Sequence, residues 1–542
     1  MMNGFPPQWE TNFGFVDFCH PNLAGFHMVN RVISKTTNIY VYPSEQETHL
    51  GSLTLGDLHG NAVKLLHFFF QYQIIQFKKE VTQPEKTYEE FVTLYESYGE
   101  ILEEYLENST LLQLERTKIT NAKERIENIK TQLSLEENKD SPQYQSLFLL
   151  QQQIESRLET SQECKKRLKQ LRSEIIKKVP PVLEQLNQFI NKIAIKDREV
   201  LIRLIGDELA DRGHCDYFTL RILDLFSQNH GRLAIIFSNH GYEFISAYEK
   251  LAKNLPFVPQ KDIVDFQTTS FSGLKLLIKH GFITKNELVH LTNKSYKPAL
   301  KLIDYTLDET GITLFSHAPM RFDHLELTAR FLKVTYDDST KEALAKTIDE
   351  INGQLEHYIH EDITHLLFHS DCIKDKTNMT EEERAMWPLI YLIWNRWDQA
   401  KETETARPAS NNDYLITYVH GHDPFQSPKP HVHNLDTLCG KDSRKKEDEQ
   451  INKSFQFLAQ NRYTSVDTTG FEQYLRLVHR SKVFDSNGYG LQSDKEDEVL
   501  TIESPLDAMV LDSLKKFSMF GKAVQTQSEQ PEEKANPSES IL

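Results

Sequence analysis

The sequence predicts an α/β protein into which an antiparallel α-helical hairpin is inserted. Short apolar runs recur along the chain, and each leads into a loop that contains Asp, Asn or His. Such runs are typical of buried strands. The runs are 51–55, 199–205, 233–237, 313–315 and 414–419. Between the first two runs, residues 85–195 are almost free of glycine and rich in Glu, Lys, Gln and Leu, a composition that favours helices.

The glycine-poor block predicts two antiparallel helices. Apolar residues recur at three- and four-residue steps along two arms, Leu112–Leu133 and Leu147–Ile175. Between the arms, residues 138–142 (Asn-Lys-Asp-Ser-Pro) supply a turn, a helix N-cap and a proline suited to a first helical position. Glu115 and Ser161 interrupt the apolar seam, so we expect an imperfect coiled coil with arms of about 30 residues and about 45 Å.

Shifts in composition divide the chain into five parts. The parts are an N-terminal segment at 1–45, an α/β domain made of 46–80 and 196–440, the hairpin at 81–195, a C-terminal helical region at 441–520 and a tail at 521–542. Within the α/β domain, residues 320–400 are predicted to be mainly helical. The tail is rich in Ser, Glu and Pro, which predicts disorder.

Charge and cysteine content narrow the functional classes. The formal net charge of −17 argues against nucleic acid as a partner, because phosphate binding needs a basic surface. The five cysteines are scattered and form no metal-binding pair, which favours a reducing compartment such as the cytoplasm. No apolar run reaches the ~18 residues of a membrane span, and the first residues lack the features of a signal peptide. We therefore expect a protein without a membrane span.

The first strand end carries the most informative pair of residues. Asp57 and His59 lie two residues apart, so on an extended backbone their side chains point the same way and can bind one ion together. Gly56 and Gly60 flank the pair and allow the backbone to turn sharply. The pair alone is ambiguous, because Asp and His often meet in turns.

Four further strand ends carry side chains of the same kind. They present Asp207 with Asp211 and Arg212, then Asn239 with His240, then His317, and finally His420 with His422. Oxygen and imidazole ligands in this mixture suit Mn, Fe or Zn rather than Ca. A carboxylate that bridges two ions about 3.5–4 Å apart creates a site for hydrolysing phosphate esters.

This ordered series resembles the calcineurin-like metallophosphoesterases, and within them the phosphoprotein phosphatase branch. The matching motifs are Gly56–Gly60, Gly206–Gly213 and Asn239-His240, followed by two separated histidines. The stretch 434–440 resembles the strand that these enzymes place after the last histidine. The resemblance implies a two-sheet metallophosphoesterase β-sandwich flanked by helices. It also implies two divalent metal ions, most often Mn, with Fe or Zn as alternatives.

The resemblance further implies a role for each residue. Asp57 and His59 would hold the first metal ion, Asp207 would bridge, and Asn239, His317 and His422 would hold the second. The catalytic residues would be His240 as general acid, Asp211 as the carboxylate that orients it, and Arg212 and Arg396 as phosphate ligands. His420 competes with His422, and the Gly-His-x-Pro context favours His422.

Two departures from the family motifs and one unrelated cluster need separate interpretations. The second motif is one residue longer than usual, so its loop is expected to bulge. The third has Ser238 and Gly241 where the family has glycine and an acid, and Glu243 is one alternative source of that carboxylate. Histidines with helical metal-ligand spacing also occur, but a solvated helix face is the preferred interpretation. They are His357, His360, His365 and His369.

The inserted hairpin and the polar tail resemble the Wip group of type IV secreted effector phosphatases. This resemblance implies a protein phosphatase, with phosphotyrosine favoured and a phosphoserine/phosphothreonine phosphatase as the alternative. It also implies secretion by a type IV system into a host cytoplasm, with the polar tail as the secretion signal and inert disorder as the alternative. The hairpin would bind a host protein or position the substrate, and a purely structural spacer is the alternative. Two other functions stay open: a dinucleoside polyphosphate hydrolase, and a binding scaffold that acts through the hairpin.

Overall fold

The computed structural model describes residues 30–35, 38–44, 51–259, 267–368, 380–397, 405–423, 427, 429–442, 444–445 and 481–486. The strands are β1 Asn30–Lys35, β2 Ser52–Leu55, β3 Ile75–Phe77, β4 Ile193–Ile195, β5 Leu201–Leu204, β6 Arg232–Ile236, β7 Leu300–Lys301, β8 Asp304–Leu307, β9 Gly311–Phe315, β10 Ser410–Asn411, β11 Tyr414–His420, β12 Val432–Asn434 and β13 Ser481–Ser486. The helices are α1 Ala62–Gln71, α2 Pro84–Leu135, α3 Pro142–Lys177, α4 Val179–Asn191, α5 Asp216–Gln228, α6 Asn239–Ala252, α7 Thr269–Lys279, α8 Lys285–Leu291, α9 Asp323–Phe331, α10 Lys341–His360, α11 Glu381–Met386 and α12 Pro388–Trp394.

Two larger sheets carry the predicted strands, so the mixed α/β class is confirmed. The first sheet has the order β1-β13-β2-β5-β6-β7, and its neighbours β2, β5, β6 and β7 run parallel. The second has the order β10-β11-β9-β8, with β12 parallel to β11 and β9 parallel to β11. Because parallel strands end at the same edge of a sheet, the loops after these strands gather on one side of the molecule.

Apolar and charged contacts join the two sheets. One buried cluster contains side chains from both, namely Ile205, Ile236, Phe315, Val419, Leu435 and Phe484. Beside it, the fully buried Arg203 of β5 donates from Nε to Asp304 Oδ2 of β8 at 2.6 Å, and its guanidinium lies 3.8 Å from the ring centroid of Phe315. The cluster and the ion pair fix one sheet against the other. The assignment to the metallophosphoesterase sandwich itself stays a prediction.

The helical hairpin is confirmed, with unequal arms. α2 has 52 residues and α3 has 36, both longer than expected. Their seam contains Ile126, Ile129 and Ile154. The first half of α2 does not belong to the seam, because it packs on the α/β domain, and this extra length was not visible in the apolar spacing.

The predicted turn and polar interruption of the hairpin lie where the sequence placed them. Ser141 accepts a hydrogen bond from the backbone N–H of Tyr144 at 3.0 Å, and Pro142 is the first residue of α3. Glu115 accepts from Lys118 Nζ at 2.7 Å. A hydrogen bond from Lys118 comes first, and one from Ser161 contributes, in lowering the pKa of Glu115. The two polar residues that interrupt the seam therefore satisfy each other across it.

Two predictions about the ends of the chain are corrected. Residues 481–486, expected in a C-terminal helical region, form the strand β13, which lies antiparallel between β1 and β2. Its Val483 and Phe484 are buried, so the strand fills an edge of the main sheet that β2 would otherwise expose. The strand expected at 434–440 is β12, which ends at Asn434, and the residues beyond it form a loop. The tail at 521–542 lies outside the described residues.

The described helices include none with the length and apolar character needed to cross a membrane. In the described part of 320–400, four α-helices and one short 3-10 helix are present, as the mainly helical prediction expects.

Loss of the buried ion pair between the sheets should destabilise the protein much more than loss of an exposed ion pair. Asp304→Asn leaves the Arg203 guanidinium buried without its counter-charge, so we expect the free energy of unfolding to fall by about 3 kcal/mol in urea titrations. Glu104→Gln removes the exposed pair with Lys178 and serves as the control, with an expected loss below about 1 kcal/mol. Equal losses in the two variants would contradict the structural role given to the buried pair.

Candidate metal centre

The first two motif loops are hydrogen-bonded to each other through their backbones. Leu58 N–H donates to Gly206 O at 3.2 Å, and Gly60 N–H donates to Asp207 O at 2.8 Å. The loops after β2 and β5 are therefore held side by side, with Asp57 and His59 on one and Asp207 on the other.

Two groups of buried side chains bring their ligand atoms within 4.8 Å of one another. The first group is His59, Asp207 and Asp211, and the second is Asp207, His317 and His422. Asp207 belongs to both groups. This shared position is the one that a bridging carboxylate would occupy between two ions.

Lone pairs converge in the second group. His317 Nδ1 lies 2.9 Å from Ile205 O, a contact that requires the proton on Nδ1 and leaves a lone pair on Nε2. That Nε2 faces Asn239 Oδ1 at 2.9 Å, Asp207 Oδ1 at 3.4 Å and His422 Nδ1 at 3.1 Å. Burial lowers the pKa of both histidines, which keeps them neutral. Electron pairs directed at one point in a buried site suit a cation.

The first group has a second layer of acids. His59 lies between two carboxylates, with Nδ1 3.1 Å from Asp211 Oδ2 and Nε2 3.3 Å from Asp436 Oδ1. Asp57 belongs to neither close group in the described part of the chain. Its Oδ2 accepts from His422 N–H at 2.8 Å, whereas its buried Oδ1 has no hydrogen-bond partner among the residues that the structure describes.

Asp57 gives the clearest indication that the site suits a cation. Burial, followed by the negative charges of Asp436 and Asp207, raises the pKa of Asp57 well above its usual range. A Cβ atom on Gly421 would lie 1.7 Å from Asp57 Oδ1, so only glycine fits there. A bound cation would offset the repulsion among these acids. The residues present therefore fit a metal ion.

The predicted catalytic residues surround the ligand groups. His240 Nδ1 lies 2.7 Å from Ala210 O and donates to it, and its Nε2 lies 3.6 Å from Asp211 Oδ1. Burial lowers the pKa of His240, but the charges of Asp211 and Asp207 outweigh burial and raise it above its ordinary value. Burial likewise opposes ionisation of Asp211, yet the charge of His240 and the hydrogen bond from His59 bring its pKa down to about 2.

One arginine lies beside each ligand group. Arg212 Nε is 3.9 Å from Asp211 Oδ1, and its side chain is 29% exposed. Arg396 follows α12, is exposed, and donates from Nη1 to His422 O at 2.9 Å. Both guanidinium groups have donors left for a ligand that enters from solvent.

The loop of the second motif has an irregular backbone. Asp207 and Ala210 both have left-handed backbones, with φ of 55° and 56°. The bulge expected from the extra residue stays a prediction. Ser238, where the family has glycine, accepts from Asp207 N–H at 3.0 Å and from Gly241 N–H at 2.9 Å. The departure therefore adds a contact that fixes the backbone of Asp207.

Asp436 is the site residue that sequence reasoning missed. It is buried, binds His59, and follows β12 by two residues. Its backbone N–H donates to Asn434 Oδ1 at 2.8 Å, which holds the loop. The usable signal was the rule applied to the other loops, an acid just beyond a strand end, but this segment had been assigned to a strand.

The competing histidines lie outside the two groups. His420 is buried with Nδ1 3.0 Å from Gly421 O, so of the two candidates His422 is the one placed with the ligands. His365 Nδ1 lies 2.8 Å from Glu249 Oε2, and His360 is the exposed last residue of α10. His369 lies outside the described residues. The helical histidine cluster joins no ligand group of the described residues.

Two family models match the chain. Residues 201–441 match the WipA-like phosphatase domain. The chain therefore carries a WipA-like phosphatase domain, and it is a phosphatase. Residues 86–190 match the alpha-helical hairpin of WipA. Asp57 and His59 lie outside both matched ranges, yet they reach the same centre as the residues of the WipA-like domain.

Other comparisons are weaker. No curated protein matches the chain. Among solved structures, the crystal structure of the phosphatase domain from the Legionella effector WipB is similar at 24% sequence identity and a TM-score of 0.49, covering 69% of this chain and 100% of that one.

The shared position of Asp207 predicts how metal binding responds to mutation. We expect isothermal titration with Mn²⁺ to give two sites per wild-type chain, and Mn²⁺ to raise the thermal unfolding midpoint. Asp207→Ala removes a ligand from both groups, so both the binding and the stabilisation should be lost.

The control for metal binding is His420→Asn. His420 is equally buried but lies outside the ligand groups, so its replacement should leave two Mn²⁺ sites. A wild-type chain that binds no Mn²⁺, Fe²⁺ or Zn²⁺ would contradict the assignment of a metal centre.

Proposed function

We propose that this phosphatase is metal-dependent and hydrolyses phosphomonoesters on proteins, with phosphotyrosine as the preferred residue. The observation that carries the proposal is Asp207, whose carboxylate is shared by two buried groups of ligand atoms. The ligands of the proposed site are Asp57, His59, Asp207, Asn239, His317 and His422. Bound divalent cations, with Mn²⁺ proposed first, would supply Lewis acidity and turn a water molecule into a nucleophile at neutral pH.

The two arginines bind and orient the phosphate. Arg212 lies beside Asp211 and Arg396 beside His422, one next to each ligand group. Planar guanidinium groups hold phosphate oxygens through paired hydrogen bonds and offset the charge that grows on them during the reaction. The phosphorus is thereby fixed between the ligand groups.

His240 gives the proton to the leaving oxygen. Its Nδ1 proton is engaged by Ala210 O, so the proton at Nε2, 3.6 Å from Asp211 Oδ1, is the one available for transfer. The carboxylate of Asp211 favours the charged imidazolium and fixes the ring orientation. Asp211 also contacts His59, so it connects the acid to the first ligand pair.

The depth of the site supports phosphotyrosine. The six proposed ligands are all buried, with exposures from 0% to 6%. A phosphotyrosine side chain carries its phosphate farther from the peptide backbone than phosphoserine or phosphothreonine does. Trp394 and His422 make a perpendicular ring contact with centroids 5.9 Å apart, which places an aromatic side chain beside the site.

A host effector role is proposed from the hairpin. Apolar side chains near its tip are exposed, including Leu135 at 78% and Leu149 at 56%. Such side chains favour contact with another protein. We propose that the chain is delivered by a type IV system into a host cytoplasm, where the hairpin binds a host protein.

The direct test is a phosphopeptide panel with Mn²⁺, with and without chelator, for the wild type and Asp207→Ala. We expect turnover of phosphotyrosine peptides that requires Mn²⁺ and falls by at least about 10³-fold in the variant, because one substitution removes a ligand from both groups. Faster turnover of phosphoserine or phosphothreonine peptides would overturn the preference. Turnover that is changed neither by chelator nor by the Asp207→Ala substitution would overturn the proposed site.

His240 predicts a dependence on pH and on the leaving group. Its protonated form is the acid and its pKa is raised, so the rate should fall as pH rises through that raised value. His240→Asn should abolish this alkaline limb. The loss should be about 10²-fold for phenyl phosphate and much smaller for p-nitrophenyl phosphate, whose better leaving group needs less protonation. Equal losses for the two substrates would rule out the acid role.

A further inference from the structure

A row of tyrosines docks α2 on the α/β domain. All four side chains are buried, and each phenol bonds to a different segment. Tyr88 donates to Ile39 O at 2.6 Å, Tyr98 donates to Gly273 O at 2.8 Å, and Tyr105 lies 3.1 Å from His280 Nε2. The fourth member is Tyr95. Spacings of three and seven residues keep the row on one helix face.

Tyr95 touches the loops of both leading motifs. Its phenol donates to Gly60 O at 3.1 Å and accepts from His214 N–H at 2.8 Å. Gly60 directly follows His59. Between these contacts, Gly213 N–H donates to His59 O at 2.9 Å. One phenol group therefore closes the junction of the two loops.

The same turn of α2 encloses His214. The rings of Tyr95 and His214 have centroids 4.7 Å apart, and Glu96 Oε1 lies 3.3 Å from His214 Nε2. Gly99 lies against the imidazole, where a Cβ would come within 2.6 Å. The loop that carries Arg212 two residues earlier is therefore fixed by the inserted helix rather than by the sheet alone.

We propose that Tyr95 is a positioning residue, through which the inserted hairpin sets the distance between the His59 loop and the Arg212 loop. α2 is continuous from Pro84 to Leu135, so the helix that makes these contacts is also an arm of the hairpin. The inference rests on the proposed function, because it concerns the geometry of that same site. Tyr95 acts through the two loops and does not itself touch the substrate.

The test compares Tyr95→Phe with Tyr88→Phe, using aryl phosphate and Mn²⁺. Each variant removes one buried phenol oxygen from the same helix, so both should lower the thermal unfolding midpoint by a similar amount. Tyr95→Phe should lower kcat by about tenfold and raise KM by about threefold, because the loop spacing sets both the geometry of the reacting groups and the position of the phosphate-binding Arg212. Tyr88→Phe should leave both constants within about twofold.

A second variant and a structural readout separate positioning from stability. Glu96→Gln weakens the hold on His214 from the side and should lower kcat by about threefold in the same direction. Amide exchange at His214 should speed up in Tyr95→Phe but not in Tyr88→Phe, because the His214 N–H donates to the phenol of Tyr95.

The results distinguish a failure of the positioning role from a failure of the proposed function. If Tyr95→Phe and Tyr88→Phe lose kcat equally while the wild type is active and Asp207→Ala is not, the positioning role is wrong and the proposed function stands. If the wild type hydrolyses no phosphoester with any metal, the proposed function fails and the inference fails with it.

Discussion

The crowding of negative charge and lone pairs around Asp207 is the constraint on which the rest of the structure depends. Asp57, Asp207 and Asp436 are buried together with neutral histidines, an arrangement that is unfavourable unless a positive charge is present. The surrounding protein holds these acids and histidines close together. Parallel strands bring the loops to one edge, and Gly421 leaves room for Asp57 where any side chain would collide.

The inserted hairpin changes how this site is supported. It enters the chain after the first ligand pair and leaves it before the bridging residue, so the two loops meet only through tertiary contacts. Backbone hydrogen bonds between Leu58 and Gly206 and between Gly60 and Asp207 form part of that junction. The tyrosine face of α2 completes it. The insertion thus packs against the catalytic domain along the first half of α2, and it projects from that domain only along the rest of the hairpin.

Much of the candidate site could be predicted from the sequence because the proposed ligands lie at strand ends, Asp57 and His59 after one strand and the others after one strand each. An apolar run followed by Asp, Asn or His is a local pattern, and it found the residues from Asp57 to His422 in order. The hairpin was also predictable, since apolar periodicity and the cap at Ser141 are local signals. What failed was long-range. Nothing near 481–486 indicates that this segment enters the sheet beside β2. Likewise, nothing in the sequence around the tyrosines of α2 indicates which distant segments they contact. Asp436 was missed because its segment was assigned to a strand that ends at Asn434.

The central claim is that one carboxylate, Asp207, is shared by two metal ions. Anomalous diffraction at the manganese edge from crystals soaked in Mn²⁺ tests it most directly. The account predicts two peaks about 3.5–4 Å apart, one on each side of Asp207. One should lie against Asp57 and His59, and the other against Asn239, His317 and His422. A single peak, or two peaks that do not both contact Asp207, would contradict it.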